Sequence, residues 1–154
     1  MAPTSVWYTK QLPGKKWVEM INQLIDQNTI IYLLGSANDK ETCESLKARS
    51  MNHNVINLAG KLSLLESTAL MKDAKMNYVN DSAPMHLASA VDAPVTAFYC
   101  STIPDFGFGP LSKKAKIVQS DEKLKCRPCG LHGFKDCPEK HFECGNTIDV
   151  KTLI

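Results

Sequence analysis

The strongest constraint on the fold is a repeated exchange between two hydrophobic periods. Residues 29–34, TIIYLL, run without a charge and are closed by Gly35. A half-exposed strand alternates apolar and polar residues, so an unbroken run marks a strand covered on both faces, as in a parallel sheet. Before it, Trp17, Met20, Ile21, Leu24 and Ile25 fall at i, i+3, i+4, i+7 and i+8, one buried helical stripe following the Pro13-Gly14 turn. The exchange repeats. Strands are predicted over residues 2–8, 54–58, 75–80, 94–99 and 115–119. Helices are predicted over residues 39–50, from Ser63 onward and over 82–91. Ser63 and Glu66 have the spacing of a capping box, in which each side chain satisfies a free backbone N–H. Alternating strands and helices specify an α/β fold, a Rossmann-like doubly wound parallel sheet.

The exchange stops near residue 119. Residues 101–110 form a Gly- and Pro-containing loop, residues 125–145 an irregular segment rich in Cys, and residues 146–154 are expected to be a short terminal helix. The sequence has 154 residues, 44% of them hydrophobic, which suits a single domain spanning 1–154. With 18 basic and 16 acidic side chains, it lacks the charge excess that marks a nucleic-acid partner. Lys113, Lys114 and Lys116 read as a solvated loop or a local anion contact. No apolar run approaches the roughly 20 residues of a membrane span. The first residues do not resemble a signal peptide, so the six cysteines read as reduced thiols and the expected location is cytoplasmic.

Chemistry concentrates in residues 77–91, NYVNDSAPMHLASAV. In open parallel sheets, ligands bind beyond the carboxyl ends of strands, and Asp81-Ser82 occupies such an end. Ser82 suits an N-cap and Pro84 a first turn. The N–H groups of Ser82, Ala83 and Met85, with the helix dipole, would receive an anion. His86, one turn on, could lean toward it. The buried stripe would be Pro84, Leu87, Ala88 and Val91. An ordinary capped helix explains the same residues, and on this stretch alone both readings stand. A Ser-His-Asp triad does not fit, because triads gather residues distant in sequence and no nucleophile elbow is present.

The longer stretch VNDSAPMHLASAVDAPVTAFY resembles the DSGPMHLA signature of the ADP-heptose–lipopolysaccharide heptosyltransferase family, glycosyltransferase family 9. The resemblance continues in APTSVWYTKQLPGKKWVEMINQL, IIYLLGSANDKE, VINLAGKLSLLESTALMKDA and CRPCGLHGFKDCPEKHFEC, in the same order along nearly the whole sequence. It implies the C-terminal, donor-holding domain of a GT-B enzyme, whose N-terminal domain faces the acceptor and supplies the carboxylate base. It implies that Lys10 neutralises the diphosphate of an ADP-sugar, with Ser5 lining the same pocket. Asp39, or alternatively Glu41, would bind the ribose hydroxyls; Asp81 the sugar or phosphate; Ser82 and Ala83 the phosphates through their N–H groups. His86 would complete the site. The implied reaction is inverting transfer of a heptose-like sugar to a lipopolysaccharide core acceptor, with no cofactor required, no catalytic residue in this sequence and the protein at most at the periphery of the inner membrane. The isolated chain is expected to bind nucleotide sugar without turnover. The alternative is a non-catalytic nucleotide-binding or interaction module of the same fold. Two residues depart from the family pattern: Ala83 and Cys100 each replace a glycine. Ala keeps the N–H but adds a methyl group and resists positive φ.

Cys126, Cys129, Cys137 and Cys144 are separated by two, seven and six residues. Four thiolates could hold a structural zinc, with His132 and His141 as substitutes. This is not the paired spacing of a zinc ribbon, and reduced thiols packing a loop are the favoured reading; a third view makes the segment a zinc-dependent hook for a partner. Cys43 and Cys100 fall in helix and strand patterns and are expected in the core.

Overall fold

The computed structural model describes residues 1–25 and 28–153. Five strands, β1 (Ile31–Leu33), β2 (Val55–Asn57), β3 (Asn77–Asn80), β4 (Val95–Tyr99) and β5 (Ala115–Gln119), form parallel pairs in the orders β1-β2 and β3-β4-β5. The N-terminal segment joins them. The backbone nitrogen of Met1 donates to Tyr32 O (2.7 Å), and Leu34 N–H donates to Met1 O (2.8 Å). On the other side Ala2 bridges Val79 in parallel, its N–H donating to Tyr78 O at 2.8 Å. The spatial order is therefore β2, β1, N-terminal segment, β3, β4, β5. This is the doubly wound order in which the chain reverses direction across the sheet between its first and fourth members.

The expected strand over residues 2–8 contracts to this single bridge. Pro3 has no N–H to extend the ladder, and Val6 turns out to solvent. The other strands lie within or at their expected runs. Side chains on successive strand residues point to opposite faces, and the core is sorted accordingly. Phe98 and Cys100 enter one cluster; Val95, Ala97 and Tyr99 enter the other. Helices α1 (Gly14–Gln23) and α2 (Lys40–Arg49) pack together, as do α3 (Leu64–Lys72) and α4 (Ala83–Ala90). Trp17, Met20, Ile21 and Leu46 belong to the first cluster and Met71, Met85 and Ala88 to the second, so helices cover both faces of the sheet.

Local rules explain the helix boundaries. Ser63 and Glu66 close the expected capping box on α3: Glu66 N–H donates to Ser63 Oγ (3.3 Å), and Ser63 N–H to Glu66 Oε2 (2.8 Å). α1 ends at Gln23, so Ile25 falls beyond the helix and is exposed, unlike Trp17, Met20, Ile21 and Leu24. On α4 the most deeply buried side chains are Met85 and Ala88, while Pro84, Leu87 and Val91 are only half-buried. Near the C-terminus the expected helix over 146–154 is replaced by one turn, α5 (Glu143–Asn146), whose successors are not helical; position 154 lies outside the described residues. Ile148 and Val150 are fully buried around an exposed Asp149. That period of two suits an extended tail on the core.

Candidate functional site

The chain reversal opens a crevice between the segment after Ala2 and the end of β3. A cavity of about 650 Å³ occupies this region, lined by Thr4–Val6, Leu34–Ser36, Asn38, Asp39, Leu62–Leu64, Ser67, Met71, Ser82–Pro84 and Leu87. Four sequence-predicted residues meet here: Ser5, Asp39, Ser82 and Ala83. Glu41 is exposed on the first turn of α2 and is not part of the wall.

Ser82 is the N-cap of α4 by position, with extended backbone (φ −160°, ψ 177°), yet its side chain makes no capping bond. Its hydroxyl turns back to Asn80 O at 3.4 Å. Among the described residues, the N–H groups of Ser82 and Ala83 have no protein acceptor. Met85 N–H is different from the expectation: it donates to Ser82 O at 3.0 Å, closing a tight first turn, so it is unavailable to a ligand. Ala83 is the first helical residue of α4, and its methyl group is exposed at the cavity. A helical backbone asks for no positive φ, so Ala fits this position without strain.

Beside the cavity, Lys10 Nζ contacts Asp81 Oδ2 at 2.8 Å. The same oxygen accepts the Thr102 hydroxyl at 2.6 Å. Asp81 and Thr102 are both buried, so two donors compensate a carboxylate removed from water. Lys10 ends a 3-10 turn, Tyr8–Lys10, that brings the N-terminal segment over the end of the sheet. Neither Lys10 nor Asp81 lines the cavity itself; they adjoin it through Ser82. His86 is exposed on α4 and also stands outside the cavity wall. Tyr99, beneath α4, has its phenol pKa raised by burial and then by the charge of Asp81; its hydroxyl donates to Phe108 O at 3.0 Å.

Asp39 accepts twice on one oxygen, from Ser36 N–H (2.7 Å) and Ser36 Oγ (2.6 Å). Its other oxygen has no partner among the described residues. Gly35 is required here, since a Cβ would lie 2.7 Å from Asp39 Cβ. Sequence reasoning missed Ser36, Ser67 and Asn38 in the wall and Thr102 behind Asp81. Thr102 was within reach of the rule that selected Asp81, for it also follows the carboxyl end of a strand, β4. A second cavity, about 420 Å³, sits at the amino ends of β1 and β3 and is lined largely by apolar groups including Leu24, Ile30, Met76 and Leu153.

The Cys-rich segment docks across the carboxyl ends of the strands. Cys129 N–H donates to Ser101 O at 2.8 Å, and Arg127 donates to the carbonyls of Cys100 (2.7 Å) and Thr102 (2.8 Å). All six thiols are free, and Cys43 and Cys100 are core residues with no exposure. Burial, then neighbouring thiols, raises Cys129 and pushes Cys144 up to about 11. Among the described residues, no three His, Cys, Asp or Glu side chains group closely enough to hold a metal; Cys126 Sγ and His141 Nε2 stand 3.9 Å apart.

Sheet order, crevice and uncapped helix define a Rossmann-like domain of the kind that holds a ligand at the carboxyl ends of its strands. Residues 1–134 match the family model for glycosyltransferase family 9 (heptosyltransferase), and the chain belongs to that family. It is 35% identical over 115 residues to lipopolysaccharide heptosyltransferase 2 of Salmonella typhimurium, covering 70% of this chain and 33% of the relative. The structure of Escherichia coli ADP-heptose lipopolysaccharide heptosyltransferase II superposes with a TM-score of 0.73 at 30% identity, over 94% of this chain and 44% of that one. The E. coli heptosyltransferase WaaC, solved with ADP, gives 0.68 at 25% identity, over 75% and 35%. The chain thus spans about a third of the length of the curated relatives it matches. Its α/β architecture with parallel strands is that of the GT-B heptosyltransferases. No helix among the described residues is long and apolar enough to cross a membrane.

Proposed function

We propose that this chain is the nucleotide-sugar-binding domain of a heptosyltransferase. The donor is an ADP-sugar, and its heptose-like sugar passes with inversion to a lipopolysaccharide core acceptor. The observation that carries this reading is the uncapped start of α4: Ser82 and Ala83, whose N–H groups have no protein acceptor among the described residues, line a cavity at the chain reversal. The first turn of a helix carries partial positive charge and directed donors, which suit a diphosphate.

The surrounding groups divide the donor between them. An ammonium has three N–H donors, and Lys10 spends one on Asp81, leaving two for phosphate oxygens. As the sugar leaves the diphosphate, negative charge grows on the bridging oxygen. Lys10 and the α4 amides stabilise it as fixed partners that need no rearrangement. The unengaged oxygen of Asp39 accepts a ribose hydroxyl, and that of Asp81 a sugar hydroxyl. His86 adds a donor at the rim from the exposed face of α4. The base that deprotonates the acceptor comes from a second domain, as does the acceptor site. No metal is assigned a step. The enzyme works in the cytoplasm, at the periphery of the inner membrane where its acceptor is anchored.

The test is ADP affinity, by calorimetry or NMR titration, for the wild-type chain and Lys10→Ala. A full charge at about 4 Å and an effective dielectric near 20 contributes about 4 kcal/mol. Asp81 already offsets much of it, so a loss of at least about tenfold, 1.4 kcal/mol, is expected. Unchanged affinity would remove Lys10 from the site. Glycosyl transfer by these 154 residues alone would contradict the division of labour.

A further inference from the structure

The Cys-rich segment does more than cover the sheet. Thr9, with 1% exposure, is a hub for three stretches of chain. Its N–H donates to Phe134 O (3.1 Å), its carbonyl accepts from Ser101 N–H (3.1 Å), and its Oγ1 accepts from Phe134 N–H (2.8 Å) and Ser101 Oγ (3.0 Å). Gly133 lies directly over this hub at φ +77°. A Cβ there would stand 2.8 Å from Thr9 Oγ1, 3.1 Å from Lys10 Cγ and 3.2 Å from Ser101 Oγ. The first of these cannot swing away, because it holds three hydrogen bonds in the interior, the third its own donation to Phe134 O at 3.3 Å. The Lys10 stem therefore runs between Asp81, which fixes its ammonium, and the bare backbone of Gly133.

We propose that Gly133 and Thr9 are positioning residues for Lys10: the strap formed by residues 129–134 sets the path of the Lys10 side chain and so its reach toward the anionic part of the ligand. This rests on the reading of Lys10 as a diphosphate partner. The physical requirement is threefold. The strap must approach closer than any side chain permits, must take a left-handed backbone, and must be pinned laterally; Gly133 supplies the first two and Thr9 the third. Cys129 at the far end of the strap, and Arg127 just before it, anchor it on the β4 exit through the carbonyls of Ser101, Cys100 and Thr102. The position of one lysine thus depends on backbone more than 120 residues away in sequence.

The experiment is a double-mutant cycle read by ¹⁵N NMR titration with ADP, which follows weak as well as tight binding. Gly133→Ala is made in the wild-type chain and in Lys10→Ala. Thr9→Val, which keeps side-chain volume but cuts the Oγ1 bonds, is made in the same two backgrounds and serves should Gly133→Ala fail to fold. Each is expected to weaken ADP by about fivefold when Lys10 is present and by less than about twofold when it is absent, since coupled residues are non-additive. Equal loss in both backgrounds means a general structural effect and overturns the proposal, as does no loss in either. Loss with Lys10→Ala but none with Gly133→Ala and Thr9→Val overturns this inference while leaving the donor site standing. No loss with Lys10→Ala overturns both.

Discussion

Replacing Thr102 by Val tests the polar network behind the site. The two side chains have nearly the same shape, so the change isolates one hydrogen bond. The Thr102 hydroxyl donates at 2.6 Å to Asp81 Oδ2, and the residues are 1% and 5% exposed, which leaves little room for water to replace it. A hydrogen bond to a charged group contributes about 1.5–3 kcal/mol, and a donor lost from a buried carboxylate is not readily regained. We expect a loss of about 2 kcal/mol, seen as a lower urea midpoint at constant m-value, or roughly 4–8 °C in Tm for a chain of this size. In an Asp81→Asn background the acceptor is neutral, so the same substitution should cost only about 1 kcal/mol. The coupling of about 1 kcal/mol between the two positions is the diagnostic quantity. A Thr102→Val effect below about 0.5 kcal/mol, the range of ordinary surface changes, would refute the claim that Asp81 is a buried carboxylate held by Thr102 as well as Lys10.

Three further outcomes follow from the same structure. Met85→Ala should cost about 2–5 kcal/mol in urea denaturation, because the side chain has no exposure and lies between Val79, Tyr99 and the other residues of its cluster. Glu66 has its pKa lowered from the usual 4.5, first by the Ser63 backbone N–H and then by its hydroxyl. A depressed carboxylate contributes stability above its unfolded pKa and loses it as pH falls through the folded value, so Glu66→Gln should flatten the pH dependence of stability below about 4.5 and leave a smaller slope there. Purified protein should contain well under one equivalent of zinc, by elemental analysis, because the four thiols of the Cys-rich segment are not gathered at ligand spacing; a value near one equivalent with chelator-sensitive folding would reverse that reading.

What the sequence carries and what it conceals follows from how local each determinant is. The run at 29–34, the Ser63 capping box and the Asp81-Ser82 helix start are local, and they locate β1, α3 and one wall of the cavity. The strand expected at residues 2–8 failed because Pro3 withdraws a donor just after Ala2 joins the sheet. The expected terminal helix failed because Ile148 and Val150 read as helix or strand until the core they dock against is known. Met85 is absent from the expected stripe of α4 because Leu87 and Val91 offer an equally apolar one, and only the core cluster that Met85 joins, with β4 residues Val95, Ala97 and Tyr99, chooses between them. Thr9 and Gly133 are invisible for a deeper reason. Thr9 bonds Ser101 and Phe134, 92 and 125 residues away, and Gly133 closes over Thr9 and Lys10 from the far end of the chain, so their roles exist only once the sheet order is fixed. Of the donor-binding residues that the resemblance implies, Ser5, Asp39, Ser82 and Ala83 lie in the cavity wall, while Lys10, Asp81 and His86 stand outside it.

The central claim is that the uncapped start of α4 receives the phosphates of an ADP-sugar. Its most direct test is the residue-resolved ¹⁵N–¹H spectrum of the chain titrated with ADP. The amides of Ser82 and Ala83 are expected to shift most and saturate with a single dissociation constant, with Ser5, Ser36 and Asp39 following the same curve, while Leu24, Met76 and Leu153 around the opposite cavity stay still. Saturable shifts confined to that opposite cavity, or none at Ser82 and Ala83, would contradict it.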